Sequence, residues 1–89
     1  MMTRDALRAS LERMNLSDAE IRVTGDPGRI IGIIASPDFE GLNGAVRQGK
    51  LWRHLLDQLS PDQLEQIEFV FTYTPRELAA LDRGERPSA

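Results

Sequence analysis

Residues 20–37, EIRVTGDPGRIIGIIASP, decide the fold of this 89-residue chain. The first five residues alternate between polar and apolar, a pattern typical of a half-buried strand. Pro27 and Gly28 suit the central positions of a type II turn, because proline presets φ and glycine accepts a positive φ. The run 30–35 is apolar on both faces, as expected for a central strand. The stretch therefore predicts a β-hairpin, with an edge strand first and a central strand second.

Helix caps and periodicity predict the elements around this hairpin. Thr3 is a candidate N-cap, while Ser60 and Thr74 each begin a capping box ahead of an apolar run. The third strand must return parallel to the second, because two helices connect them. The predicted elements are helices at 4–14, 42–58, 61–66 and 75–83, and strands at 20–24, 30–35 and 67–73. This αββααβα order is an α+β fold with a three-stranded mixed sheet, in one domain at 1–84 followed by a disordered tail at 85–89.

The apolar pattern also predicts which side chains form the core. Helices are expected on one sheet face, and the second helix is expected to turn Trp52 and Leu56 toward the sheet. Ile30, Ile34 and Val70 are then expected on the other face or under helix ends. The predicted core is Leu7, Leu11, Ile31, Ile33, Val46, Trp52, Leu56, Phe69 and Phe71.

The composition excludes several classes of function. The chain has no cysteine and one histidine, which excludes disulfides, thiolate or multi-histidine metal sites and a cysteine nucleophile. A net charge of −3, from 11 basic and 14 acidic residues, argues against general avidity for nucleic acid or anionic membranes. No apolar run reaches the roughly 18 residues of a membrane span, and no signal peptide opens the chain. We therefore expect a cytoplasmic protein without a membrane partner.

Polar residues of the second helix form the sharpest local pattern. Asn43, Arg47, Lys50 and His54 are spaced four, three and four residues apart, which predicts one exposed ridge, and Arg53 adds a further positive charge. The ridge is either a docking site for phosphates or an acidic partner, or a solvated helix face, which is the commoner case. No nucleophile and orienting group accompany the histidine, so the sequence predicts no enzyme and no catalytic residue.

The loop before the second helix is a second candidate contact site. Gly41-Leu42-Asn43-Gly44 matches the G-x-x-G pattern with which KH modules clamp nucleic acid, but here it opens a helix instead of joining two. The loop candidates are Phe39, Gly41 and Gly44, and the phenylalanine is expected to be a core side chain.

Two stretches resemble the BolA-like family, whose fold is similar to a type II KH module. They are SPDFEGL at 36–42, followed by Arg47, and FTYTPREL at 71–78, within a resemblance that covers residues 4–82. It implies a non-enzymatic adaptor or regulator that acts by protein–protein contact. Its expected partner is a monothiol glutaredoxin in iron–sulfur or redox homeostasis, with roles in the stress response and transcription regulation.

The chain departs from the family at the residues that would bind a cluster. The family carries a histidine after the helix arginine, where this chain has Gln48, and an amide is a poor ligand for cluster iron. We therefore predict no cofactor and no metal-ligating residue, with any cluster ligands supplied from elsewhere. The alternative function is a nucleic-acid-binding transcriptional regulator that uses the basic ridge, and the oligomeric state is left open.

Overall fold

The computed structural model describes residues 2–85 and has the predicted order of elements. Of the tail predicted at 85–89, residues 86–89 lie outside the described part. One short 3₁₀ turn, Pro37–Phe39, is the only element that the sequence did not predict among the described residues. The elements are α1 Arg4–Glu12, β1 Glu20–Asp26, β2 Arg29–Ala35, α2 Gly44–Gln58, α3 Pro61–Glu65, β3 Ile67–Tyr73 and α4 Pro75–Asp82.

Local signals place the helix ends where they were predicted. The Thr3 hydroxyl accepts a hydrogen bond from the Ala6 N–H at the start of α1. Ser60 and Thr74 form reciprocal capping boxes at the starts of α3 and α4. Asn15 takes a left-handed φ of 54° after α1, a conformation that asparagine tolerates better than most residues. These contacts satisfy backbone groups that a helix end leaves unpaired.

The sheet has the order β1-β2-β3, with β1 antiparallel and β3 parallel to the central strand. This confirms the predicted topology. Gly28 lies in the hairpin turn with a φ of +92°. Gly25 has a φ of +100°, and a Cβ there would collide with the carbonyl oxygen of Arg29. Glycine is therefore needed where the hairpin approaches its turn.

The core lies on the sheet face opposite to the predicted one. Ile30, Ile34 and Val70 are fully buried under the helices, whereas Phe69 and Phe71 are 38% and 39% exposed. The predicted burial of these two phenylalanines is therefore wrong, and Ile31 and Ile33 are only half-buried. The main core cluster is Met2, Leu7, Leu11, Ile30, Ile34, Phe39, Leu51, Leu55, Ile67 and Val70.

Helix α2 is rotated by about one residue, or roughly 100°, from its predicted phase. Leu51 and Leu55 are its fully buried side chains, whereas Leu56 is 65% exposed. Val46 is also exposed and Trp52 is half-buried, so the predicted core positions on α2 are wrong at Val46 and Leu56. The rotation follows from packing, because the buried pair meets the sheet face that carries the core isoleucines.

Helix α4 crosses the other face of the sheet, so the prediction that helices cover one face is wrong. Leu78 of α4 and Ala35 of β2 are buried together. Beyond them, the Arg22 guanidinium makes two hydrogen bonds to the Asp82 carboxylate, at 2.7 and 2.8 Å. The helix therefore covers the end of the sheet where β2 finishes and leaves the rest of that face open. Among residues 2–85, no helix combines the length and apolar character needed to span a membrane.

Candidate functional site

The predicted ridge on α2 does not exist as one exposed surface. Asn43 is the N-cap of α2, and its side-chain oxygen accepts a hydrogen bond from the Val46 N–H at 2.9 Å. Arg47 turns inward: its Nε donates to the Leu42 carbonyl at 2.8 Å and its Nη1 to Glu77 Oε1 at 2.6 Å. The prediction that Arg47 is exposed is therefore wrong, and its side chain joins α2 to α4.

His54 is half-buried and also makes a contact with another helix. Its Nε2 lies 2.6 Å from the carbonyl oxygen of Ser10 on α1. Because a carbonyl oxygen can only accept a hydrogen bond, Nε2 carries the hydrogen and donates it to Ser10. His54 therefore connects α2 to α1, and it is half-buried where the ridge predicts an exposed side chain. Lys50 and Arg53 remain exposed and border a shallow open depression together with His54, Leu56 and Asp57.

The phenylalanine of the loop before α2 has a structural role. Phe39 is fully buried in the core, as predicted, and the Arg47 guanidinium carbon lies 6.0 Å from its ring centroid. Gly41 has a φ of +76°, and Gly44 is the first residue of α2. The G-x-x-G match therefore opens the helix, as the sequence indicated. A binding role for Gly41, Gly44, Asn43, Lys50 or Arg53 stays a prediction.

Side chains of α2 close the free edge of β3. Gln48 Nε2 donates to the Val70 carbonyl at 3.0 Å, and Arg47 Nη1 lies 3.4 Å from the Thr72 carbonyl. The indole N–H of Trp52 donates to Gln48 Oε1 at 2.9 Å. Both ends of the glutamine amide are thus used within the chain. These contacts satisfy outward-facing carbonyls that an edge strand would otherwise expose.

Exposed aromatic side chains cluster on the uncovered part of the sheet face that α4 crosses. We call it the open sheet face. Register places its side chains in two rows across the strands, Arg22, Ile33 and Phe71 in one and Thr24, Ile31 and Phe69 in the next. The ring centroids of Phe69 and Phe71 are 4.8 Å apart in an edge-on arrangement, and Tyr73 stacks beyond them. Clustered exposed apolar side chains of this kind mark interaction sites on soluble domains.

Charged groups at the α4 end of this face are held in fixed pairs. Burial acts to raise the pKa of Glu77, but the Thr74 N–H and the Arg47 guanidinium stabilise the carboxylate, so the pKa is lowered overall. Burial, followed by the charge of Glu77, raises the pKa of Tyr73. The Arg22 guanidinium lowers the pKa of Asp82. These groups stabilise the end of the sheet and provide no reactive nucleophile.

Within residues 2–85, no three histidine, cysteine, aspartate or glutamate side chains are grouped as a metal site would require. The position after Arg47 is occupied by Gln48, whose amide is held by Val70 and Trp52. His54 lies elsewhere on α2, against α1. The described residues therefore do not form an iron–sulfur site of their own.

No protein-family model and no curated protein matches this chain. Solved structures do resemble it. A bolA protein homologue from Coxiella burnetii is 23% identical, with a TM-score of 0.68 over 89% of this chain and 99% of that chain. The fold is BolA-like. A bol-like protein from Babesia bovis is 19% identical, with a TM-score of 0.60 over 93% of this chain and 96% of that chain.

The BolA-like fold confirms the resemblance predicted from the two sequence stretches, as far as architecture is concerned. The open sheet face is not predicted from the sequence as a candidate site. Its signal was present in Phe69, Phe71 and Tyr73, which alternate along one strand beside a central strand that is apolar on both faces. Such a sheet needs cover on both sides, and the described helices provide it fully on one side only.

Proposed function

We propose that this BolA-like protein is a non-enzymatic cytoplasmic adaptor or regulator that acts by protein–protein contact through the open sheet face. The observation that carries the proposal is the exposure of Phe69 and Phe71 on the edge strand of an apolar surface that continues to Ile31 and Ile33 of β2. Burying such side chains against a partner is favourable by roughly 25 cal/mol per Å² of apolar area. The partner that the sequence resemblance suggests is a monothiol glutaredoxin, in iron–sulfur or redox homeostasis.

Contact without cluster ligation is the form of partnership that the side chains support. Gln48 is engaged by Val70 and Trp52, and His54 is engaged by Ser10. To bind iron, Gln48 would have to use its amide oxygen, which is a poor ligand for cluster iron, and His54 would have to use Nδ1, because its Nε2 donates to the Ser10 carbonyl. We therefore propose that the protein docks on a glutaredoxin that retains all its own cluster ligands.

The nucleic-acid alternative receives less support. Of the basic residues proposed for it on α2, Arg47 is paired with Glu77 and His54 with the backbone. Lys50 and Arg53 stay exposed, but Asp57 lies beside them. Two exposed cations would neutralise few phosphates, so they would give weak binding with a shallow salt dependence.

A titration with a purified monothiol glutaredoxin tests the proposal. We expect NMR shift changes at Ile31, Ile33, Phe69 and Phe71, and a Kd that rises at least tenfold in Phe71→Thr. The matched control is Lys50→Ala on the opposite side of the molecule, which should leave the Kd unchanged. With cluster-loaded glutaredoxin, the visible absorption and circular dichroism of the cluster should stay almost unchanged.

Other results would contradict separate parts of the proposal. Absence of binding rejects the glutaredoxin as partner. A Kd that responds to Lys50→Ala and not to Phe71→Thr places the contact on α2. A change in the cluster spectrum that disappears in His54→Ala would show that His54 becomes a cluster ligand. A change that persists in His54→Ala would make Gln48 the next residue to test as a ligand.

A further inference from the structure

We infer that the open sheet face accepts an amphipathic α-helix of a partner protein, lying beside α4. This inference rests on the proposed function, because it specifies the structural element with which the partner makes contact. Three features of the molecule support a helix over a strand or a second copy of the chain. They are the position of α4, the closed edge of β3 and the size of the open sheet face.

The chain itself shows how this face of the sheet is covered. Helix α4 crosses the strands at the end of β2, where Leu78 and Ala35 are buried together. The open rows lie farther from the end of β2 than Ala35 does. The first row contains Ile33 and the second contains Ile31. Two rows span about 13 Å along the strands. A helix is about 10 Å wide, so the open space beside α4 fits one more helix.

A partner strand cannot pair with β3 beside the exposed phenylalanines. The outward carbonyls of Val70 and Thr72 already receive the side chains of Gln48 and Arg47. Adding a strand at this edge would require both side chains to leave. A partner therefore reaches Phe69 and Phe71 from above the sheet, where it meets side chains instead of backbone groups.

A second copy of the chain fits the open sheet face less well. Three strands and two rows give a patch of about 14 by 13 Å beside α4, so α4 of each copy would keep two such faces from meeting over more than a small area. Arg76 of α4 and Arg83 just after it are exposed charges, which a neighbouring copy on this side would have to cover. Each copy also carries a net charge of −3, which opposes self-association.

The charges around the open sheet face indicate the chemistry of the partner helix. Arg22 at one rim is held by Asp82 and Glu20. Arg29 at the far rim is 82% exposed, and its Nη2 lies 3.8 Å from Glu68 Oε1, so it is only loosely paired. The complementary helix has apolar residues at i, i+3, i+4 and i+7, with an acidic side chain toward Arg29.

A synthetic peptide provides a direct probe. It is an 18-residue peptide of leucine, alanine, glutamate and lysine, with leucines on one helical face and glutamates along one flank. Its control has the same composition with the leucines spread around the helix. We expect the first peptide to gain helicity on binding and to shift NMR signals of the open sheet face. The control peptide should bind at least tenfold more weakly.

Two variants locate the binding site. Phe71→Thr should weaken peptide binding at least tenfold, and this partly exposed position tolerates a β-branched residue without loss of the fold. Leu56→Gln, at an exposed leucine of α2, should leave binding unchanged. Arg29→Ala should weaken binding of the glutamate-flanked peptide and not that of a version with lysine in place of those glutamates.

Several outcomes would overturn the inference. These are equal binding of the two peptides, no binding at all, or shifts confined to α2. Self-association by sedimentation that disappears in Phe71→Thr would make a second copy the occupant. Peptide binding without glutaredoxin binding keeps the inference and rejects only the named partner. Glutaredoxin binding that ignores Phe71→Thr keeps that partner and rejects a helix on this face.

Discussion

Arg47 Nη1 lies 2.6 Å from Glu77 Oε1, and this ion pair joins the first turn of α2 to the first turn of α4. The two side chains are only 13% and 21% exposed. The same carboxylate oxygen accepts a hydrogen bond from the Thr74 N–H at 2.7 Å, which completes the capping box of α4. The pair therefore connects the helix on the core side of the sheet with the helix on its other side.

We expect Arg47→Met to lower the free energy of unfolding by about 1.5–3 kcal/mol, the range for hydrogen bonds to charged groups. In this variant the largely buried Glu77 carboxylate loses the hydrogen bond from Arg47 and keeps the one from the Thr74 N–H. Urea denaturation followed by fluorescence of Trp52, the chain's one tryptophan, measures the loss. The control is Arg83→Met, whose pair with Glu85 is exposed, and little change is expected there. Equal losses in the two variants would show that the Arg47–Glu77 pair contributes no more to stability than the exposed Arg83–Glu85 pair.

The lowered pKa of Glu77 predicts an acid-sensitive contribution to stability. The pKa of the folded state lies below the ordinary value of 4.5, so the contribution is fully present above that value. It is lost as the pH falls through the lowered pKa, because the folded carboxylate must then accept a proton. The difference in unfolding free energy between the parent and Glu77→Gln should therefore shrink from about pH 6 to about pH 3. A difference that is constant over this range would contradict the assignment.

Adjacent leucines of α2 should respond very differently to truncation. Leu55 is fully buried, so Leu55→Ala should cost about 2–5 kcal/mol of unfolding free energy. Leu56 is 65% exposed, and Leu56→Ala should cost less than about 1 kcal/mol. Denaturant titration of the two variants side by side makes the comparison. The reverse order would mean that α2 has the phase expected from the sequence.

Gln48→Leu should destabilise the fold by about 1–3 kcal/mol, because it leaves the Trp52 indole N–H and the Val70 carbonyl without partners. The emission maximum of Trp52 should also move, since its polar contact is removed. Gln58→Leu, at the exposed end of the same helix, is the matched control. Unchanged emission and stability in Gln48→Leu would contradict the proposed closure of the β3 edge.

The elements of this fold could be predicted because their signals are local. A hydroxyl residue followed by its capping partner, as at Ser60 and Thr74, acts within one turn of chain. Pro27 and Gly28 define the hairpin turn by their own backbone preferences. These signals need no knowledge of distant residues, and for that reason they place helix starts and strands within a few positions.

The candidate site was harder to predict because side-chain direction depends on partners far along the chain. Arg47 has the spacing of an exposed ridge residue, but Glu77, thirty positions away, draws it inward. His54 meets a carbonyl of α1, forty-four positions away. Helical spacing describes which residues share a face and not which neighbour that face will meet.

The sequence by itself determined the order of elements, the helix caps, the hairpin turn and the central place of β2. Only the tertiary structure decided which face of the sheet became the core. A strand apolar on both faces, such as β2, carries no alternation to mark its inner side. In β3 the pattern also breaks, because the register shift between Ile30 and Ile31 leaves Ile67 and Val70 on the same side three residues apart. The helices bury Ile30 and Ile34, and Phe69 and Phe71 remain exposed on the face that the described helices only partly cover.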